Sequence, residues 1–259
     1  MPNVTVTYPA QLIDTHLLNR RSGLSSVSGD FDYTLGGTLT PFAGFVGWRA
    51  GAFWQDVAQM VPAGVGDPIE SWREIYSGAN RHATQATLAK KPTVILTAAG
   101  RLGASFDDVD DALKTALFAA VPQPTMVYAV AQRVSALNAR HYIFDGNASA
   151  SYTLYHAITV FLYTAAAPTT LASAVASTSM DCMTVQFSGA TSRLWRNGTL
   201  IAGPGNAGAN SVTAVTLGAQ GALNLPLGGT ILAHLGYSGT HTDAQRNAII
   251  AALMAEAGI

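Results

Sequence analysis

From Pro41 to Tyr237, short apolar runs alternate with turn-forming residues in a rhythm that suits strands. The runs are Phe45–Trp48, Val94–Thr97, Thr125–Gln132, His141–Phe144, Tyr152–Tyr163, Met183–Phe187, Ser192–Arg196, Val212–Leu217 and Thr230–Tyr237. Asn197-Gly198 sits between two of them and predicts a two-residue hairpin, because both central positions of that turn need positive φ. One helix is predicted, near the C-terminus. Thr242 to Gln245 form a capping box, Ile249 with Leu253 and Ile250 with Met254 form an apolar stripe, and Gly258 stands at the stop.

The first forty residues differ. They hold one alternating run, a short apolar stretch at Leu17-Leu18 and Ser/Gly-rich connections, too little to bury a core. Residues 1–40 are therefore expected to be an N-terminal arm for attachment or assembly, and 41–259 an all-β domain, with added edge strands as the alternative role for the arm. Between the first strand runs lies "WREIYSGANRHATQATLAKKPTV", residues 72–94. Trp72 is expected in the core, Gly78 and Asn80 in a turn, and Thr84 to Thr87 in a short polar edge segment. Pro92 would start the next strand.

Charged residues make up only 11% of the chain and the net charge is −1, so no basic footprint for nucleic acid exists. The lone Cys182 excludes an internal disulfide and, between Met180 and Met183, reads as a buried thiol. The opening residues lack the basic start and apolar block of a secretion signal, and no apolar run is long enough to span a bilayer. A protein made in the cytoplasm, with no membrane insertion, is expected.

In order along the chain, "SGANRHATQAT" (77–87), "ASFDDVDDAL" (104–113), "LWRNGTLIAG" (194–203), "VTLGAQG" (215–221) and "GGTILAHLGYS" (228–238) resemble the concanavalin A-like, laminin G/pentraxin-type jelly rolls of bacteriophage and bacterial surface proteins. The resemblance covers roughly Pro41 to Ile259. It implies an antiparallel β-sandwich jelly roll closed by a short C-terminal helix. Two departures fall at turn-shaping positions: Asp108 replaces the usual Gly of an FDG step, and Glu74-Ile75-Tyr76 precedes the Ser77-Gly78 step where an Asp is usual.

The chemistry of such a fold can then be sought in the residues. A laminarinase-type enzyme needs two or three carboxylates on one strand face, as Glu-x-Asp-x-x-Glu. Glu70, Glu74 and Glu256 are the chain's only glutamates and do not form that pattern, so no catalytic residue is assigned and a non-enzyme is expected. Asp107, Asp108, Asp110 and Asp111 form an acidic knot. Strand alternation would put Asp108 and Asp110 on one face and Asp107 and Asp111 on the other, so turn chemistry is preferred to a Ca²⁺ site. His82, His141, His156, His234 and His241 lack zinc-site spacing, and no cofactor is expected.

Aromatics beside arginines remain. Arg193 and Trp195 would share a face opposite Leu194, and Tyr152 and Tyr155 lie on a β run near Arg140 and Tyr142. Such groupings hold sugar rings, and they equally build subunit interfaces. The expectation is a non-enzymatic virion structural protein, a capsid decoration, head fibre or tail-associated protein assembled in the host cytoplasm. It would dock on other virion proteins through the arm, form a homo-oligomer and display a jelly roll that could hold host-surface polysaccharide. A stand-alone carbohydrate-binding lectin is the alternative, and a glycan hydrolase ranks below both.

Overall fold

The computed structural model describes residues 31–134, 140–157, 160–166, 169–172 and 177–259. Asp32–Ile259 forms one compact unit. The domain boundary therefore falls nearer residue 31 than residue 40. Tyr33 is fully buried, its hydroxyl donates to Glu256 Oε2 (2.7 Å), and its carbonyl accepts from the Tyr237 hydroxyl (3.0 Å). The rest of the expected arm, residues 1–30, lies outside the described residues.

Two antiparallel sheets face one another. Along the chain the strands are β1 (Pro41–Val46), β2 (Phe53–Trp54), β3 (Ser71–Trp72), β4 (Ala83–Thr84), β5 (Thr93–Leu96), β6 (Leu102–Asp107), β7 (Leu113–Thr115), β8 (Thr125–Arg133) and β9 (Arg140–Asp145). They continue with β10 (Thr153–Ala157), β11 (Phe161–Ala166), β12 (Thr169–Ala172), β13 (Asp181–Phe187), β14 (Ser192–Arg196), β15 (Thr199–Gly205), β16 (Thr216–Leu217) and β17 (Gly228–Ser238). Sheet A runs β15-β14-β13-β8-β17-β6-β5, with β1 pairing the second half of β17; sheet B runs β12-β11-β10-β9-β16-β7-β4-β3-β2. The all-β sandwich expected from the sequence is what forms.

Alternation decides what each strand buries. Val127, Ala129 and Ala131 of β8, Val185 of β13 and Leu194 of β14 face the core, where Phe45, Trp72, Phe106, Phe144 and Phe187 also lie. On the opposite face of sheet A, Tyr128 binds His241 (Oη to Nδ1, 2.7 Å) beneath helix α1 (Asp243–Ala257). The expected capping box is present: Gln245 N–H donates to Thr242 Oγ1 (3.2 Å) and Thr242 N–H to Gln245 Oε1 (2.9 Å). Gly258 closes the helix at φ 77°. Ile249, Ile250 and Leu253 are the buried stripe.

The polar stretch after Trp72 is architecture, but not an edge. Trp72 packs on Phe53 (centroids 4.8 Å apart) and Phe45 (5.9 Å). Glu74, 5% exposed, accepts N–H bonds from Gly44 (3.0 Å), Tyr76 (2.7 Å) and Ser77 (2.7 Å), and the Ser77 hydroxyl (2.6 Å). A single carboxylate thus closes the turn that Gly78 and Asn80 complete at positive φ. Thr84 then enters β4, which is paired on both sides, by β3 and β7.

Candidate functional site

Sheet B gathers one of the two aromatic groups expected from the sequence. Tyr142 and Tyr155 are cross-strand partners on β9 and β10 and stack at 4.6 Å with an interplanar angle of 13°. A register shift puts them there: Leu154 pairs with Phe144 and Tyr155 with Tyr142, so Ile143 is skipped. Ile143 and Phe144 both enter the core, and the tyrosines lie outside the core cluster. The exposed Arg140 holds its guanidinium carbon 5.8 Å from the Tyr155 ring centre, and Gln220 Nε2 donates to Tyr142 Oη (3.0 Å). Tyr155 is 7% and Tyr142 1% exposed, so Arg140 is the exposed member of this group. Burial pushes both hydroxyls above the ordinary tyrosine range, and Arg140 partly offsets this for Tyr155.

The other expected residues go elsewhere. Tyr152 turns into the core, 2% exposed, with its ring 4.0 Å from that of Phe187. Trp195 is 4% exposed because α1 lies over it, with the Arg246 guanidinium 4.5 Å above the indole; no sugar platform exists there. Arg193 is half-buried beside Gly203. The sequence shows that Trp195 opposes Leu194, but only the packing of α1 shows that this face is covered.

The acidic knot also departs from strict alternation. β6 ends at Asp107, and Asp108 adopts φ 69°, the left-handed conformation that the Gly of the resembled motif supplies readily. Its carboxylate turns inward, Oδ1 lying 3.3 Å from His141 Nδ1. Asp110, placed by the sequence reading on the face opposite Asp107 and Asp111, instead joins them, the three bringing oxygens within 4.8 Å of one another. They could hold a hard cation. Turn chemistry is present too: Asp107 Oδ1 accepts from Val109 N–H (2.9 Å) and Asp111 Oδ2 from Asp107 N–H (3.0 Å). Burial, and secondarily Asp107, push the Asp111 carboxyl up to about 6.

Sequence reasoning missed a row that crosses sheet B in register: Trp54, Ser71, Thr84, Lys114, Thr216 and Asp145. Most of its strands are two or three residues long, too short for a period-two signal. Asp145 accepts N–H bonds from Gly146, Ala150, Ser151, Tyr152 and Gly221, and Lys114 Nζ donates to the Asn147 and Gly221 carbonyls. Both charges therefore shape loops. Trp54 stays half-exposed at the far end.

Every glutamate is engaged. Glu70 pairs with Lys91, Glu74 closes its turn, and Glu256 accepts from Tyr33, Trp48 Nε1 (2.9 Å) and Arg49.

Neither a protein-family model nor a curated protein sequence matches the chain. Solved structures do. Trypanosoma rangeli sialidase is similar at 10% identity with a TM-score of 0.56, over 83% of this chain and 32% of that one. The botulinum neurotoxin serotype D binding domain is similar at 9% identity with a TM-score of 0.55, over 83% of this chain and 52% of that one. The toxin's ligand-binding domain in complex with N-acetylneuraminic acid aligns at 9% identity, with a TM-score of 0.55. The chain spans about a third of the sialidase and about half of the toxin domain. At such identities the likeness is one of fold: an antiparallel β-sandwich.

Sialidases can use a tyrosine nucleophile instead of a carboxylate pair. The chain has a Tyr–Glu contact, Tyr33 with Glu256, but Tyr33 is 0% exposed, and burial and Glu256 push its hydroxyl far above the ordinary range.

Proposed function

We propose that this protein is a non-catalytic glycan-binding sandwich displayed on a larger assembly, a virion being the setting its sequence favours. The observation that carries the reading is the stack of Tyr142 and Tyr155 under an exposed Arg140. Stacking fixes the ring that supports the guanidinium, so its donors meet a sugar with little ordering cost. The engagement of all three glutamates supports the non-catalytic part.

Binding to a glycan array tests the first part. Arg140→Ala should weaken the strongest binding by roughly 1–3 kcal/mol, the cost of removing one partner of a charged hydrogen bond. Binding unchanged in Arg140→Ala and Tyr155→Ala would reject this face. Release of reducing sugar from a bound polysaccharide, surviving repurification, would reject the non-catalytic reading. Mass spectrometry of purified particles, with this chain at stoichiometric level, tests the virion setting.

A further inference from the structure

The bulge that joins Tyr142 to Tyr155 is built together with a second loop. Ile143, the residue skipped on β9, gives its carbonyl to Gly218 N–H (3.1 Å), which ties the chain leaving β16 to the bulge. Gly218 stands there at φ 74°, and a Cβ on it would lie 2.1 Å from the Phe106 ring, so only glycine fits. The loop then closes on itself. Gln220 N–H donates to the Asn224 carbonyl (2.9 Å), Leu223 N–H to the Gln220 carbonyl (2.7 Å) and Leu227 N–H to the Gly218 carbonyl (2.7 Å). Gly221 is held from both sides, its N–H by Asp145 Oδ2 (3.0 Å) and its carbonyl by Lys114 Nζ (2.7 Å). Leu223 and Leu225 sit at φ 60° and 50°, a left-handed conformation that a non-glycine residue keeps only where its surroundings enforce it.

This fixed main chain aims the Gln220 side chain at the tyrosine stack. Gln220 is 7% exposed, and its Nε2 is committed to Tyr142 Oη (3.0 Å). Its Oε1 accepts no bond from the described residues and is not enclosed, and the same holds of Tyr155 Oη. Arg140, two residues before Tyr142 on β9, shares its face and lies against the Tyr155 ring. The face therefore offers a guanidinium that can only donate, a phenol that does either and an amide oxygen that can only accept.

We infer that Gln220 sets the specificity of this face: Oε1 takes the O–H of a neutral sugar, while Arg140 donates to another oxygen of the same ligand. A sugar hydroxyl donates and accepts at once. A carboxylate or sulfate only accepts, so it would satisfy Arg140 and leave Gln220 Oε1 facing lone pairs. This rests on the glycan-binding reading and names its ligand class.

Isothermal calorimetry with the methyl glycosides of glucose, galactose and mannose, and with glucuronate, tests it. The tightest neutral ligand is then compared with its deoxyfluoro analogues, in which fluorine replaces one hydroxyl at a time and cannot donate. One analogue should bind the wild type roughly tenfold more weakly than its parent, and Gln220→Met should bind the two equally. A merely structural Gln220 would leave that ratio unchanged in Gln220→Met, and this result overturns the inference, as does full binding of the parent by Gln220→Met. If Gln220→Met does not fold, the wild type decides: a tenfold loss with one analogue upholds the inference, and equal binding of every analogue and its parent overturns it. Glucuronate binding that Arg140→Ala abolishes, with no neutral sugar bound, removes this inference and leaves the glycan reading. A wild type that binds none of the four removes both.

Discussion

Single residues carry unusual weight because so few are charged. Glu74 satisfies the backbone of Gly44, Tyr76 and Ser77 from a buried position. Glu74→Ala would orphan those donors, and urea unfolding should show a loss of roughly 2–4 kcal/mol, a few times the penalty for one unsatisfied group. Trp195 illustrates how a site candidate becomes a packing residue. With α1 over the indole, Trp195→Ala should cost about 3–5 kcal/mol of stability while glycan binding stays intact. A loss of binding in a variant that melts normally would return Trp195 to the site. Its residue type and strand phase are in the sequence; what covers it is not.

At the scale of elements, the acidic turn after β6 makes a pH-dependent prediction. The Asp111 carboxyl rises to about 6 in the fold from an ordinary value near 3.8. A raised carboxyl binds its proton more tightly folded than unfolded, so its unfavourable effect grows as pH rises from about 4 to 6 and is complete above that. Asp111→Asn should therefore raise the melting midpoint at pH 7.5 and change it little at pH 4. A calcium-dependent rise in the wild type that Asp111→Asn abolishes would assign the three carboxylates an ion. The strand β10 and its hairpin partner β11 show where periodicity failed: Tyr152–Tyr163 reads as one continuous β run, yet Ala157 N–H already bonds the Val160 carbonyl to turn the chain. Helix α1, by contrast, was legible to its caps, since Thr242, Gln245 and Gly258 act through local bonds alone.

For the whole molecule, burial keeps three imidazoles neutral. His156 and His234 fall to about 3 and His241 to about 4, with desolvation the first cause in each. His234 lies between Phe144 (5.0 Å) and Phe45 (6.2 Å), and neither ring nitrogen has a hydrogen-bond partner. The unfolded chain protonates these groups near 6.5 and the folded one does not. Stability from this source is present above pH 6.5 and falls as pH drops from there toward 4, by up to about 1.4 kcal/mol per pH unit for each group. Urea midpoints between pH 7 and 4.5 should decline on that slope, less steeply in His234→Phe; a flat profile would contradict neutral burial. Truncation tests the extent of the unit: a chain starting at Asp32 should melt like the full protein, while one starting at Pro41 should melt lower, having lost Tyr33 from Glu256 and Tyr237.

The sequence by itself determined the class of fold, the Asn197-Gly198 hairpin, the capped C-terminal helix and the absence of a glutamate pattern for hydrolysis. These follow from periodicity, local hydrogen bonding and residue counts, which need no knowledge of distant partners. Tertiary structure decided the rest. It alone joined Tyr142 to Tyr155 through a skipped Ile143, covered Trp195, sank Tyr152 into the core and turned Asp108 toward His141. Each of those outcomes depends on register between strands or on which layer lies above a face. Alternation along one strand fixes a side chain's face only up to the next bulge, and never what is packed against it.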